Sequence, residues 1–166
     1  SQKNYEIFTN SSLFMVVAAV LTVGFIMVSM RDGVKLQTAV WRPMGEGRYP
    51  VVLSRGYNTT GPALAKPFVD AGYVYVGQAT RGHAGSEGEH GVADRFFADA
   101  RDGYDTLTWI SEQPWSDGRI AMYGKSYWAG TQWLVAVEQH PVHVRLAEHG
   151  QGVKKAALVH GLSPCE

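Results

Sequence analysis

Cysteine is nearly missing from this chain of 166 residues: Cys165 is its single example, so neither an internal disulfide framework nor a multi-cysteine metal site can form. An excess of one charge is missing as well. Fifteen Lys and Arg balance fifteen Asp and Glu, which excludes the basic field that draws a protein onto nucleic acid and points to a small-molecule partner. No internal repeat and no low-complexity tract is visible. With 45% apolar and 18% charged residues, the chain can bury one sizeable core and is too short for two ordinary domains.

Charge is absent altogether between Leu13 and Met30, and that stretch admits two readings. It is long enough for a short membrane span or a signal-type apolar core. Its Val16, Val17, Val20, Val23 and Ile26 suit buried strands equally. The only basic residue before it, Lys3, is offset by Glu6, and no small-residue cleavage motif precedes Arg31. The expected organisation is an apolar segment at 1–29, either anchor or first strand, followed by one domain at 30–166. A membrane contact through residues 13–30, and export as against a cytoplasmic location, stay open on this reading.

Beyond the apolar stretch the pattern is regular. Arg31-Asp32-Gly33 is a turn sequence between two β-rich runs, and predicts an antiparallel hairpin whose second arm covers Val34 to Trp41 and ends at Arg42-Pro43. Val51–Ser54 and Val74–Gly77 read as buried parallel strands, joined by a helix over Ala63–Ala71 that Gly72 ends. A longer helix is expected from Asp94 to Gln113, with Phe97, Ala100, Tyr104, Leu107, Thr108 and Ile110 as its stripe and Pro114 as its stop. Ile120–Tyr123 is the next strand, Tyr127–Val137 the next helix, and Val153–His160 a last strand. This alternation predicts an α/β fold: a mostly parallel central sheet with flanking helices and right-handed crossovers.

Chemistry concentrates where the strand IAMY meets Gly124-Lys125-Ser126 and a helix begins. Such a junction is a nucleophile elbow, in which the serine stands on a tight turn with its hydroxyl raised and the helix's first amides beside it. The backbone N–H of Tyr127 would face a developing oxyanion. Trp128 stands where the usual motif has its last glycine. Gly124-Lys125-Ser126 also resembles the end of a phosphate-binding loop, but the leading glycine is out of register and the intervening residues are strand-like. A plain helix-cap serine is the blander alternative.

A resemblance covers the chain from about Met30 to Trp133. MRDGVKL at 30–36, Arg42-Pro43, Arg55-Gly56-Tyr57, Thr80-Arg81-Gly82 with Ser86-Glu87-Gly88, the run DTLTWISEQPW ending at Trp115, then DGRIAMYGKSY and TQW, resemble the X-Pro dipeptidyl-peptidase and cocaine-esterase-like acyl hydrolases. The resemblance implies an α/β-hydrolase-like domain, truncated before its last strands, acting on ester or amide substrates without a cofactor. It implies Ser126 as nucleophile, and Tyr57 with Tyr127 as the oxyanion hole, the first by its hydroxyl and the second by its backbone N–H. Ala79 departs from the family's acidic residue and Ala129 from its glycine. Arg81 and Glu87 are expected in a loop at the sheet's carboxyl edge, as a structural ion pair with each other or with helix residues.

A serine nucleophile needs a base and an orienting acid. The family places both far beyond the nucleophile, so no residue here inherits those roles. His140 and His143 follow the elbow helix, roughly 20 Å along its axis from Ser126, and are expected to serve its terminus; a metal at this pair is a weak alternative. His83 and His90 are expected to border the pocket as loop residues. His160 is the one candidate base, on the premise that Val153–Val159 forms the strand next to the nucleophile's strand. Two hypotheses follow: a serine hydrolase fragment acting through Ser126, active alone or only with the missing parts, or a non-catalytic hydrolase-like module or truncated product that associates with a partner, a second copy included, through an open sheet edge.

Overall fold

The computed structural model describes residues 25–89, 95–142, 144–148 and 157–159. Seven strands form one sheet: β1 (Ile26–Ser29), β2 (Lys35–Trp41), β3 (Tyr49–Gly56), β4 (Val74–Ala79), β5 (Ser116–Gly124), β6 (Val144–Glu148) and β7 (Ala157–Val159). Three helices flank it: α1 (Pro62–Asp70), α2 (Arg95–Ser111) and α3 (Tyr127–Val137). The strand order is β1-β2-β4-β3-β5-β6-β7. The inner four, β4, β3, β5 and β6, run parallel, while β1, β2 and β7 are antiparallel to their neighbours. This is the mostly parallel α/β arrangement that the alternation of elements predicts.

The hairpin forms as expected. Ser29 pairs with Lys35, and Gly33, at a φ of 87°, takes the left-handed position of the turn, where a Cβ would be strained. The end of the uncharged run is therefore a strand rather than part of a span. Ile26–Ser29 hydrogen-bond into the sheet, so the domain begins before residue 30, and residues 13–24 lie outside the described residues. Among the described residues no helix is long and apolar enough to cross a membrane.

Alternation along the strands divides the core in two. Val51, Leu53, Val74, Val76, Ile120 and Met122 point to one face, where Leu107 and Ile110 of α2 and Val135 of α3 cover them. Val52 and Tyr75 point to the other, where α1 brings Leu64, Ala65, Phe68 and Val69. Each fully buried aliphatic side chain here contributes about 1.5–3 kcal/mol. Pro62 opens α1 at the position where proline's missing N–H is harmless, and the chain leaves it as the Tyr73 N–H returns to the Phe68 carbonyl.

Three expectations need correction. The stripe of α2 is rotated from the apolar one: Phe97 is 66% exposed, while Asp99, Asp102 and Thr106 are buried beside Ala100, Leu107 and Ile110. Hydrogen bonds, described below, outweigh hydropathy there. The strand beside β5 is β6, at Val144–Glu148, not the segment near Val153–His160. β7 lies one place further out and covers the outer side of β6 with a short antiparallel strand, so the sheet does not end beyond β5 in the open parallel edge expected.

Candidate active site

Strand order reverses at β3: the chain steps from β3 to β4 on one side and then to β5 on the other. In open α/β sheets the crevice at the carboxyl ends of two such strands is where ligands bind. Ser126 follows β5 and Tyr57 follows β3 at that crevice. Leu53 pairs with Met122, and extending this register brings Tyr57 level with Ser126, on strands about 4.8 Å apart.

Ser126 is exposed between the last residue of β5's turn and the first of α3. Its backbone lies at φ 53°, ψ −126°, a conformation that L-residues rarely adopt and that costs about 1–3 kcal/mol. Strain of this kind persists only where the surroundings impose it. Here the Ser126 carbonyl accepts the N–H groups of Ala129 and Gly130 at 3.0 Å each, and its side chain makes no capping bond. The elbow therefore spends its serine on neither packing nor capping, contrary to the plain helix-cap alternative. The phosphate-loop alternative also fails, because Arg119–Tyr123 are part of β5.

Trp128, the departure from the usual motif, is accommodated by glycines on two segments. A Cβ at Gly124 would meet the Trp128 Cβ at 2.4 Å, and one at Gly56 would meet the indole Cδ1 at 2.1 Å. The bulk missing from β3 and β5 is supplied by this indole, and α3 starts hard against both strands. Ala129 is half-buried in the same turn.

The two oxyanion candidates are in contact. The rings of Tyr57 and Tyr127 stack at 4.4 Å between centroids and 12° between planes. The Tyr127 hydroxyl donates to the buried Asp99 carboxylate, and burial first, then that bond, pushes the phenol well above the ordinary tyrosine range. The N–H of Tyr127 belongs to the first turn of α3, whose amides stand outside the helix's own ladder and carry its positive dipole end. His83 borders the same place: its ring lies 4.3 Å from that of Tyr57, and its Nδ1 donates to the Arg81 carbonyl at 2.9 Å.

Beneath the crevice runs a chain of buried polar groups. Arg55 is fully buried; its Nε donates to Gln78 Oε1 at 2.8 Å and its Nη1 to the Asp99 carbonyl at 2.7 Å. Thr106 Oγ1 shares its single proton between the Asp102 carbonyl at 2.6 Å and the same Gln78 oxygen at 2.8 Å, and Gln78 Nε2 donates to Thr38 Oγ1. Arg81 pairs with helix residue Asp102 through two bonds of 2.6 and 2.7 Å, and with Asp32 of the hairpin turn at 2.7 Å. Glu87 accepts the Lys35 N–H. Of the pairings expected for Arg81, the helix residue is the one observed. Asp32, held by Arg81, ionises below the usual carboxylate range.

The remaining histidines divide. The Val142 N–H donates to His140 Nδ1, which leaves the ring proton on Nε2, 2.9 Å from Thr108 Oγ1. With its ring against Tyr104, His140 serves the end of α3, and desolvation lowers its pKa. His90, His143 and His160 lie outside the described residues. The premise for His160 fails nonetheless: Val159 pairs with Val144, which pairs with Ile120, so β7 runs toward the sheet edge opposite Ser126. Among the described residues no histidine is hydrogen-bonded to Ser126 and no cluster could hold a metal ion. Sequence reasoning missed Asp99. Its spacing of three from Asp102 and seven from Thr106 was the available signal.

Comparison with known proteins places the chain among its relatives. The chain is 42% identical over 120 residues to cocaine esterase from Rhodococcus sp. (strain MB1 Bresler), a match that covers 68% of this chain and 20% of that enzyme. The crystal structure of an α-amino acid ester hydrolase superposes with a TM-score of 0.61 at 32% identity, covering 72% of this chain and 23% of the other. An α/β hydrolase from Penicillium sp. sh18 shares the fold, with a TM-score of 0.62 at 22% identity over 75% of this chain and 45% of its own. The chain thus spans about a fifth of the length of the curated relative. The family described as X-Pro dipeptidyl-peptidase (S15 family) matches residues 32–150, which take in the hairpin turn, both tyrosines and the strained serine, and the chain belongs to that family.

Proposed function

We propose that this chain carries the nucleophile and oxyanion hole of a serine hydrolase that cleaves ester or amide bonds. The observation that carries the reading is the strained, exposed Ser126 at the switch point of the sheet. In the reaction, Ser126 Oγ attacks the substrate carbonyl carbon and gives its proton to a base. The carbonyl oxygen takes the electron pair and is held by the Tyr127 N–H and the Tyr57 hydroxyl. The C–O or C–N bond then breaks, the leaving alcohol or amine takes the proton, and water releases the acyl group from Ser126 by the same steps.

A fluorophosphonate probe followed by peptide mapping tests this. Oxyanion donors and binding alone sustain roughly 10³-fold acceleration when a triad member is removed, so Ser126 should be modified ahead of the chain's other serines even where no base is supplied. The adduct should vanish in Ser126→Ala. Labelling spread evenly over the serines, or unchanged by that substitution, would support the non-catalytic module instead.

A further inference from the structure

The two segments that supply the oxyanion donors are far apart in sequence, and Asp99 of α2 touches both. Its carboxylate accepts the hydroxyl of Tyr127, on the elbow. Its backbone carbonyl accepts Arg55 Nη1, two residues before Tyr57 on β3. The stacked rings of Tyr57 and Tyr127 close the circuit from the other side. Asp99 itself is 2% exposed, and Gly103, one helical turn further on, lets α2 approach closely enough that a Cβ there would lie 2.8 Å from Arg55 Nη1.

We propose that Asp99 is a positioning residue for the oxyanion hole, fixing the Tyr127 amide and the Tyr57 hydroxyl relative to one another by holding one segment with its carboxylate and the other with its carbonyl. The proposal rests on the serine-hydrolase reading. A carboxylate that accepts a phenol in a buried place makes a charge-assisted bond, stronger than a neutral one and more exacting in geometry. The ring it anchors is attached to the peptide whose N–H faces the oxyanion. Small displacements of such a donor matter because the donor acts by preorganisation.

Two variants approach the bond from its two ends. Asp99→Asn keeps the shape and removes the charge; Tyr127→Phe removes the hydroxyl and leaves α2 untouched, and carries the test should the first variant fold poorly. The groups facing the phenol are Asp99 from α2, Thr80 from the end of β4 and Tyr57 from the loop after β3. In a ring-labelled NMR titration, Tyr127 should ionise at higher pH than exposed tyrosines, and Asp99→Asn should bring it down. Fluorophosphonate modification of Ser126 should slow roughly tenfold in each variant, short of the about 10²–10³ that loss of an oxyanion donor itself costs, and no further in the double variant. An unchanged Tyr127 titration in Asp99→Asn overturns the clamp. A changed titration with unchanged Ser126 labelling overturns the positioning role. A titration that responds as expected in a chain whose Ser126 is never modified overturns the serine-hydrolase reading, and the catalytic meaning of the clamp with it.

Discussion

The two faces of the sheet solve the same packing problem with different chemistry. On the α1 face rings and aliphatics dominate: Phe68 stacks on Tyr75 at 5.6 Å and meets Tyr123 edge-on at 5.1 Å, and the buried polar groups are the neutral hydroxyls of Ser54, Thr59 and Tyr75, each donating to a backbone carbonyl. On the α2 and α3 face an aliphatic layer continues into buried Arg55, Gln78, Asp99, Asp102 and Thr106 directly under the crevice. Burying such groups is tolerable only when they are hydrogen-bonded; among the described residues Arg55 Nη2 alone is buried without a partner, and the bonded remainder ties the strained serine and its neighbours to rigid elements. The contrast separates a face that supplies stability from one that supplies stability and alignment together.

The sharpest way to break this contrast is Gly103→Ala. The new Cβ would sit 1.9 Å from Val135 Cγ2, so α2 and α3 must part. Urea denaturation should show a loss of roughly 3 kcal/mol, and Ser126 labelling should slow as well. Phe68→Ala is the matching substitution on the other face. It should lower stability by about 2 kcal/mol while the labelling rate of the folded protein stays within about twofold of the parent, a difference too small to count as lost transition-state binding. Slowed labelling there would show that the α1 face also aligns the site.

The smallest effect concerns pH. His140 has its folded pKa depressed by desolvation, so the unfolded chain binds its proton more readily. Its contribution to stability is complete above the unfolded value near 6.5 and is lost as pH falls through the folded one. The stability-versus-pH slope of the parent below neutrality should exceed that of His140→Gln, with no change in the relative labelling of Ser126. Equal slopes would show that the ring is not held neutral at the end of α3.

Much of the fold could be read from the residues because local signals agreed with one another. The limits of α3 were legible at both ends, since the glycine before Ser126 and the polar Glu138-Gln139 after Val137 bracket an apolar helix. Asp32-Gly33 marked its turn for the same reason. What escaped notice was settled by tertiary contacts. β6, with Arg145 and Glu148 in five residues, has no apolar run to announce it, and its place beside β5 comes from pairing alone. Asp99 and Asp102 fall outside the apolar stripe that the α2 sequence shows. Only the guanidinium of Arg81 and the phenol of Tyr127, brought over from other elements, make their burial affordable. At the site, Ser126 and Tyr57 were visible in pattern and family likeness, whereas the stacking that joins Tyr57 to Tyr127 depends on a register that no single segment contains.

The hairpin turn also has a history during synthesis. Arg31 binds Asp105 through its own amide and its guanidinium across 74 residues, and Arg81 links Asp32 to Asp102. At elongation rates of about 5–20 residues per second, roughly 4 to 15 s separate the emergence of Arg31 from that of its partner. For that interval β1 and β2 exist without the charges that latch them, so a hairpin that leaves the ribosome well before α2 is secured only once α2 has followed.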